Sequence, residues 1–232
     1  MTNIQKQINS VIQKIAHAAT QVQRDANQIQ LLAVSKTKPI SLIKEAYQAG
    51  LRHFGENYVQ ESVEKIQKIR LDDEFTDPIH WYFIGPLQSN KTRLVAENFD
   101  WVQSVERLKI AQRLNDQRPT GLSQLNICLQ VNISGEASKS GTTLSQVIEL
   151  ASQISELPRL KLRGIMAIPE KTDDIERLEK QFDELHNIYN KLQTLYPEVD
   201  TLSMGMSGDL QSAIKCGSTM VRVGTDIFGA RD

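Results

Sequence analysis

Apolar residues recur at three- and four-residue steps through the first segment, at Ile4, Ile8, Val11, Ile12, Ile15, Ala19 and Val22. That spacing lays them along one stripe of an amphipathic helix. Beyond it, short apolar runs take turns with helical patterns. LLAVS at 31–35 precedes a helix at 40–49, RHFG at 52–55 precedes 57–70, and HWYFIG at 80–85 precedes 89–97. The alternation continues through DWVQSV and a helix from 106 onward, then LNICLQVNI at 125–133 and a helix at 143–156. LKLRGIMAI at 160–168, a long helix, TLSMGM and MVRVGT complete it. In the long helix Ile175, Leu178, Phe182, Leu185, Ile188 and Leu192 keep one apolar face, while Asp, Glu, Lys and Asn fill the other.

Eight strand candidates separated by helices predict an α/β chain closed into a (β/α)8 TIM barrel, preceded by an N-terminal helix. A doubly wound open sheet would more often have five or six strands and a glycine-rich first turn, and LLAVSKTKP contains no GxGxxG. No linker or low-complexity stretch interrupts the alternation, which predicts one domain over residues 1–232. The charged segment RLDDEFTDP at 70–78 reads as a solvated loop.

Composition removes some partners. The 27 basic residues nearly cancel the 28 acidic ones, and aromatics make up 6%, a balance that argues against nucleic acid. Cys128 and Cys216 are far apart with no CxxC or Cys/His spacing, so neither a metal site nor a disulfide framework is expected. The first 26 residues lack the basic start and apolar core of a signal peptide, and no run approaches the length of a membrane span. The expected compartment is the cytoplasm, without membrane attachment.

In a barrel of this kind chemistry gathers where the strands end, because the eight strand-to-helix loops converge on one mouth. The strand ends offer Lys36, Glu56, Asn57, Gly85, Pro86, Asn132, Met166, Ser207 and Thr225. SMGMSGDLQSAIKCG and MVRVGTDIFG each place a glycine and a hydroxyl residue at a strand end. Loops of that kind suit phosphate, since backbone amides approach an anion closely where side chains are absent. The same glycines also suit tight turns, and the residues alone leave both readings open. Lys36 follows a buried apolar strand, where desolvation favours the neutral, nucleophilic amine of a Schiff-base lysine over a solvated surface one. Arg222 alternates with Val221 and Val223, which points it into the barrel. A charge there needs either a ligand or an internal partner such as Glu56.

LLAVSKTKP, HFGENYVQE, HWYFIGPLQSNK, RGIMAIP, LSMGMSGDLQSAI and VRVGTDIFGAR, in that order along essentially the whole chain, resemble the pyridoxal phosphate homeostasis protein family. That family is related in fold to the N-terminal barrel of alanine racemase. The resemblance implies pyridoxal phosphate (PLP) as cofactor, held as a Schiff base on Lys36, with Asn57 beside it. It implies Ser207, Gly224 and Thr225 as the phosphate grip, Arg222 at the pyridine nitrogen, and Met166 and Met204 as close neighbours of the ring.

The function expected from this is non-catalytic control of intracellular PLP levels, in a monomer whose further partners are PLP-dependent apoenzymes met transiently. Arginine can only donate, so it weakens the ring as an electron sink. The sequence also stops after the eighth strand, before the second domain that carries the racemases' catalytic tyrosine. Two other readings stay in view: a PLP enzyme such as an amino-acid racemase, and a cofactor-free Schiff-base lyase acting on a phosphorylated substrate.

Overall fold

Helix α1 (Asn3–Gln21) starts where the Thr2 hydroxyl accepts the Gln5 amide. In the computed structural model, which describes residues 2–134 and 140–230, it buries Ile4, Ile8, Val11, Ile15, Ala18 and Ala19. Ile12, counted on the same stripe, falls at its edge and is 48% exposed.

The strands are β1 (Gln30–Val34), β2 (His53–Glu56), β3 (His80–Phe83), β4 (Trp101–Val105), β5 (Leu125–Val131), β6 (Leu160–Ala167), β7 (Thr201–Ser203) and β8 (Met220–Val223). They pair in sequence order, all in parallel, and β8 closes on β1 through pairs such as Leu32 with Arg222. The intervening helices are α2 (Ile40–Gln48), α3 (Val59–Arg70), α4 (Thr92–Asn98), α5 (Leu108–Gln117), α6 (Val147–Ser155), α7 (Ile175–Leu195) and α8 (Leu210–Lys215), with one further turn, α9 (Thr225–Phe228). The fold is a (β/α)8 barrel preceded by an N-terminal helix. Because α8 and α9 are short, α1 packs against both and against α2, covering the outer face between them.

Strand parity sorts the side chains, since successive residues point to opposite faces. Ala33, Phe54, Phe83, Leu202 and Val221 join the large core between strands and helices. Leu32, Tyr82, Trp101, Cys128, Met166 and Met220 fill the barrel interior, where Tyr82 and Trp101 stack at 5.0 Å. A polar layer adjoins this plug. The Gln103 amide donates to Met220 Sδ at 3.0 Å and accepts from Ser203 Oγ at 2.8 Å. Both cysteines are buried free thiols, and burial raises their pKa values, that of Cys216 to about 12.

Two expectations are refined. The 70–78 loop is mostly exposed, but Phe75 packs on the Tyr47 ring at 4.9 Å and Asp77 pairs with Arg52 at 2.8 Å. β7 stops at Ser203 because the chain turns at Gly205, whose φ of +97° a side chain would resist. Among the described residues no helix is long and apolar enough to cross a membrane.

Candidate functional site

Where the strands end, Lys36, Asn57, Ser207, Arg222, Gly224 and Thr225 line one cavity of about 290 Å3. Parity brings several of them there. Leu32, Val34 and Lys36 share the inner face of β1 and its extension, as Met220, Arg222 and Gly224 do for β8. The sequence reading missed Lys38, Ile84, Ile168 and Met206, which also line the cavity. Ile84 and Ile168 were legible in principle, two steps beyond the inward Tyr82 and Met166.

Lys36 is half-buried. The segment beneath it is tied down by Ser35, whose hydroxyl donates to Glu56 Oε1 at 2.7 Å. Asn57 is placed by an unusually close backbone approach. A Cβ on Gly85 would sit 2.2 Å from the Asn57 carbonyl oxygen, so only glycine lets β3 end there. Asn57 Oδ1 is buried without a hydrogen-bond partner, an orphaned acceptor on a cavity-lining residue.

Arg222 is 4% exposed. One of its terminal nitrogens donates to Ser203 O at 2.7 Å and Ser203 Oγ at 2.8 Å, and the other to Ala167 O at 2.9 Å. The internal partner weighed for it was Glu56, and parity decides otherwise. Glu56 is on the outer face of β2, where Oε1 accepts from Lys65 of α3 at 2.8 Å. Burial lowers the pKa of Arg222 to about 10, opposed by the charge of Asp209. Burial also holds the Asp209 carboxyl above the usual carboxylate range, although it accepts from the Met206 amide.

Ser207 lies in the turn between Gly205 and α8, half-buried at the cavity edge. Thr225 opens α9, exposed. At Gly224 an added Cβ would crowd Val34 O at 3.1 Å, so the chain passes close to β1. The two methionines named by resemblance do not line the cavity. Met166 is fully buried in the barrel interior, and Met204, one residue past the inward Ser203, belongs to the outer core.

A larger cavity, about 560 Å3, opens at the opposite end of the barrel beside His53, Trp101, Arg163 and Asp200. Size does not make it the site. Arg163 is already satisfied by Asp200 and by Asn126 at 2.9 Å, and barrels of this class carry their chemistry at the other end. The smaller cavity combines an amine, an orphaned amide oxygen, a donor-only guanidinium and two glycine–hydroxyl turns. That set suits a phosphorylated carbonyl compound with further hydrogen-bonding groups.

Comparison with known proteins agrees with this chemistry. The family model described as "Alanine racemase, N-terminal domain" matches residues 11–232. A pyridoxal phosphate homeostasis protein of Vibrio alginolyticus is 55% identical, over 100% of this chain and 99% of its own length. The crystal structure of an unknown protein from Bifidobacterium adolescentis superimposes with a TM-score of 0.91 at 34% identity, covering 97% of this chain and 94% of that one. PipY of Synechococcus elongatus, solved with PLP bound, superimposes with a TM-score of 0.78 at 34% identity, covering 93% of this chain and all of that one.

Proposed function

The chain belongs to the alanine racemase N-terminal domain family and, within it, to the pyridoxal phosphate homeostasis proteins, and from that premise we propose that it is a non-catalytic PLP-binding protein of intracellular PLP homeostasis. The carrying observation is the convergence of six motif residues, from Lys36 to Thr225, on one cavity. Lys36 would supply the amine that holds the cofactor's aldehyde carbon. Ser207, Gly224 and Thr225 take the phosphate through hydroxyls and backbone amides that no side chain obstructs. Asn57, whose Oδ1 is orphaned, would offer the group a further polar contact, and Met166 packs in the barrel interior. The residues present therefore fit the group.

When bound, PLP supplies an aldehyde for reversible Schiff-base formation and a ring able to accept electrons. The protein's own groups restrain the second property. Arg222 can only donate, so a ring nitrogen held against it would accept and would stay largely unprotonated. Beyond two lysines, the described residues lining the cavity include no carboxylate, histidine, tyrosine or thiol to serve as a second acid or base. These features support retention and release of cofactor as the role, within one domain of residues 1–232, acting as a cytoplasmic monomer that meets PLP-dependent apoenzymes transiently.

Absorbance of the PLP-treated protein before and after borohydride reduction, followed by peptide mapping, tests the site. A near-visible band that is lost on reduction, with the label on Lys36, is expected. Label elsewhere as the main product overturns the assignment, and absence of the band would favour a cofactor-free Schiff-base lyase. Incubation with L- or D-alanine in deuterated water tests the role. Exchange or racemisation at several turnovers per second, lost in Lys36→Ala, would make the protein an enzyme.

A further inference from the structure

Thr37, directly after the Schiff-base lysine, has φ of +63°. A β-branched residue is rarely found in the left-handed region, and it persists there only when its surroundings over-determine it. Here the surroundings come from α3. Glu61 Oε1 accepts the Thr37 backbone N–H at 2.8 Å and an ion pair from Lys65 at 2.6 Å, one helical turn on. Lys65 is itself buried, at 7% exposure. Its ammonium also donates to Ser35 O at 3.1 Å and Lys38 O at 3.3 Å, the carbonyls on either side of Lys36 and Thr37.

We propose that Glu61, locked by Lys65, is a positioning residue for Lys36: it holds Thr37 in the left-handed conformation and so aims the Lys36 amine into the cavity. The inference rests on Lys36 being the Schiff-base residue. Neither Glu61 nor Lys65 lines the cavity, so their action passes through the backbone of residues 35–38. Lys65, shared between Glu61 and the buried Glu56, offsets part of the Glu61 charge while bracing the segment from beneath, and a left-handed Thr37 turns the chain away immediately after Lys36.

The test uses two ligands, PLP and deoxypyridoxine phosphate, which keeps the ring and phosphate but lacks the aldehyde. Glu61→Ala should lower the affinity for PLP at least about tenfold, or about 1.4 kcal/mol, and slow borohydride-trappable labelling of Lys36. Binding of deoxypyridoxine phosphate should stay within about twofold. Glu61→Gln keeps an acceptor oxygen and should remain near wild type. Adding Thr37→Gly to Glu61→Ala should restore much of the labelling rate, because glycine enters the left-handed region without steric cost. Should Glu61→Ala melt early, Thr37→Pro removes the same N–H and the positive φ on an exposed residue. It should show the same split between the two ligands. Unchanged PLP binding, equal losses for both ligands, or no recovery with glycine each overturns the proposal. Wild-type label on a residue other than Lys36 would instead overturn the functional reading, and this inference with it.

Discussion

Arg222 donates from a single guanidinium nitrogen to both the carbonyl and the hydroxyl of Ser203, at 2.7 and 2.8 Å. The Ser203 hydroxyl in turn donates to Gln103. Three side chains from β4, β7 and β8 thus form one buried polar layer between the apolar plug and the cavity lined by Lys36. A buried guanidinium left with fewer acceptors carries a desolvation cost that nothing else offsets.

Ser203→Ala should therefore destabilise the protein by about 1–3 kcal/mol, the cost of leaving a buried donor unsatisfied. In urea unfolding the midpoint should fall with an unchanged slope. A midpoint equal to wild type would mean that the layer contributes nothing net.

Gly85→Ala should damage the site and the fold together, because the new methyl would meet the Asn57 carbonyl oxygen at 2.2 Å. The strand ends must shift, at a cost of about 1–3 kcal/mol or more. Thermal melting and PLP affinity should both drop. Loss of neither would show that the two loops separate freely.

The proposed phosphate grip predicts that Ser207→Ala and Thr225→Val each weaken PLP retention by about 1–3 kcal/mol, the range for hydrogen bonds to a charged group. Equilibrium dialysis against free PLP measures it directly. Unchanged affinity in both variants would move the phosphate away from β7 and β8.

At the opposite end of the barrel, burial and the neighbouring His80 lower the pKa of His53 from 6.5 to about 4. Between those values the folded protein binds fewer protons than the unfolded chain. The contribution is thus complete above pH 6.5 and is lost as pH falls toward 4. Between pH 7 and pH 5 the full shift would remove about 2 kcal/mol, and partial solvent exposure reduces this to about 1 kcal/mol. His53→Gln should remove that part of the pH dependence while keeping a partner for the Tyr82 hydroxyl, 3.0 Å away. Identical pH profiles for the two proteins would exclude His53 as the source.

The sequence by itself determined the order of the eight strands and of the main helices between them, though not the 3-10 turns Ala26–Gln28 and Leu144–Gln146, because period and alternation are local properties carried by residues such as Ile175, Phe182 and Leu185. It also brought six cavity residues within reach, since Lys36, Asn57, Ser207, Arg222, Gly224 and Thr225 sit near strand ends or in the turns that follow them. What it could not decide is which way a side chain faces once the chain leaves the strand's course, as it does at Gly205. Met204 and Met206 differ by one turn at Gly205, and the fold sends the first into the outer core and the second to the cavity. Nor could it pair residues across elements. Glu56 was weighed as a partner for Arg222, yet it meets Lys65, because closing the barrel puts the two faces of β2 in different environments. The contact between Glu61 and Thr37, 24 positions apart, likewise exists only because α3 packs back over the end of β1.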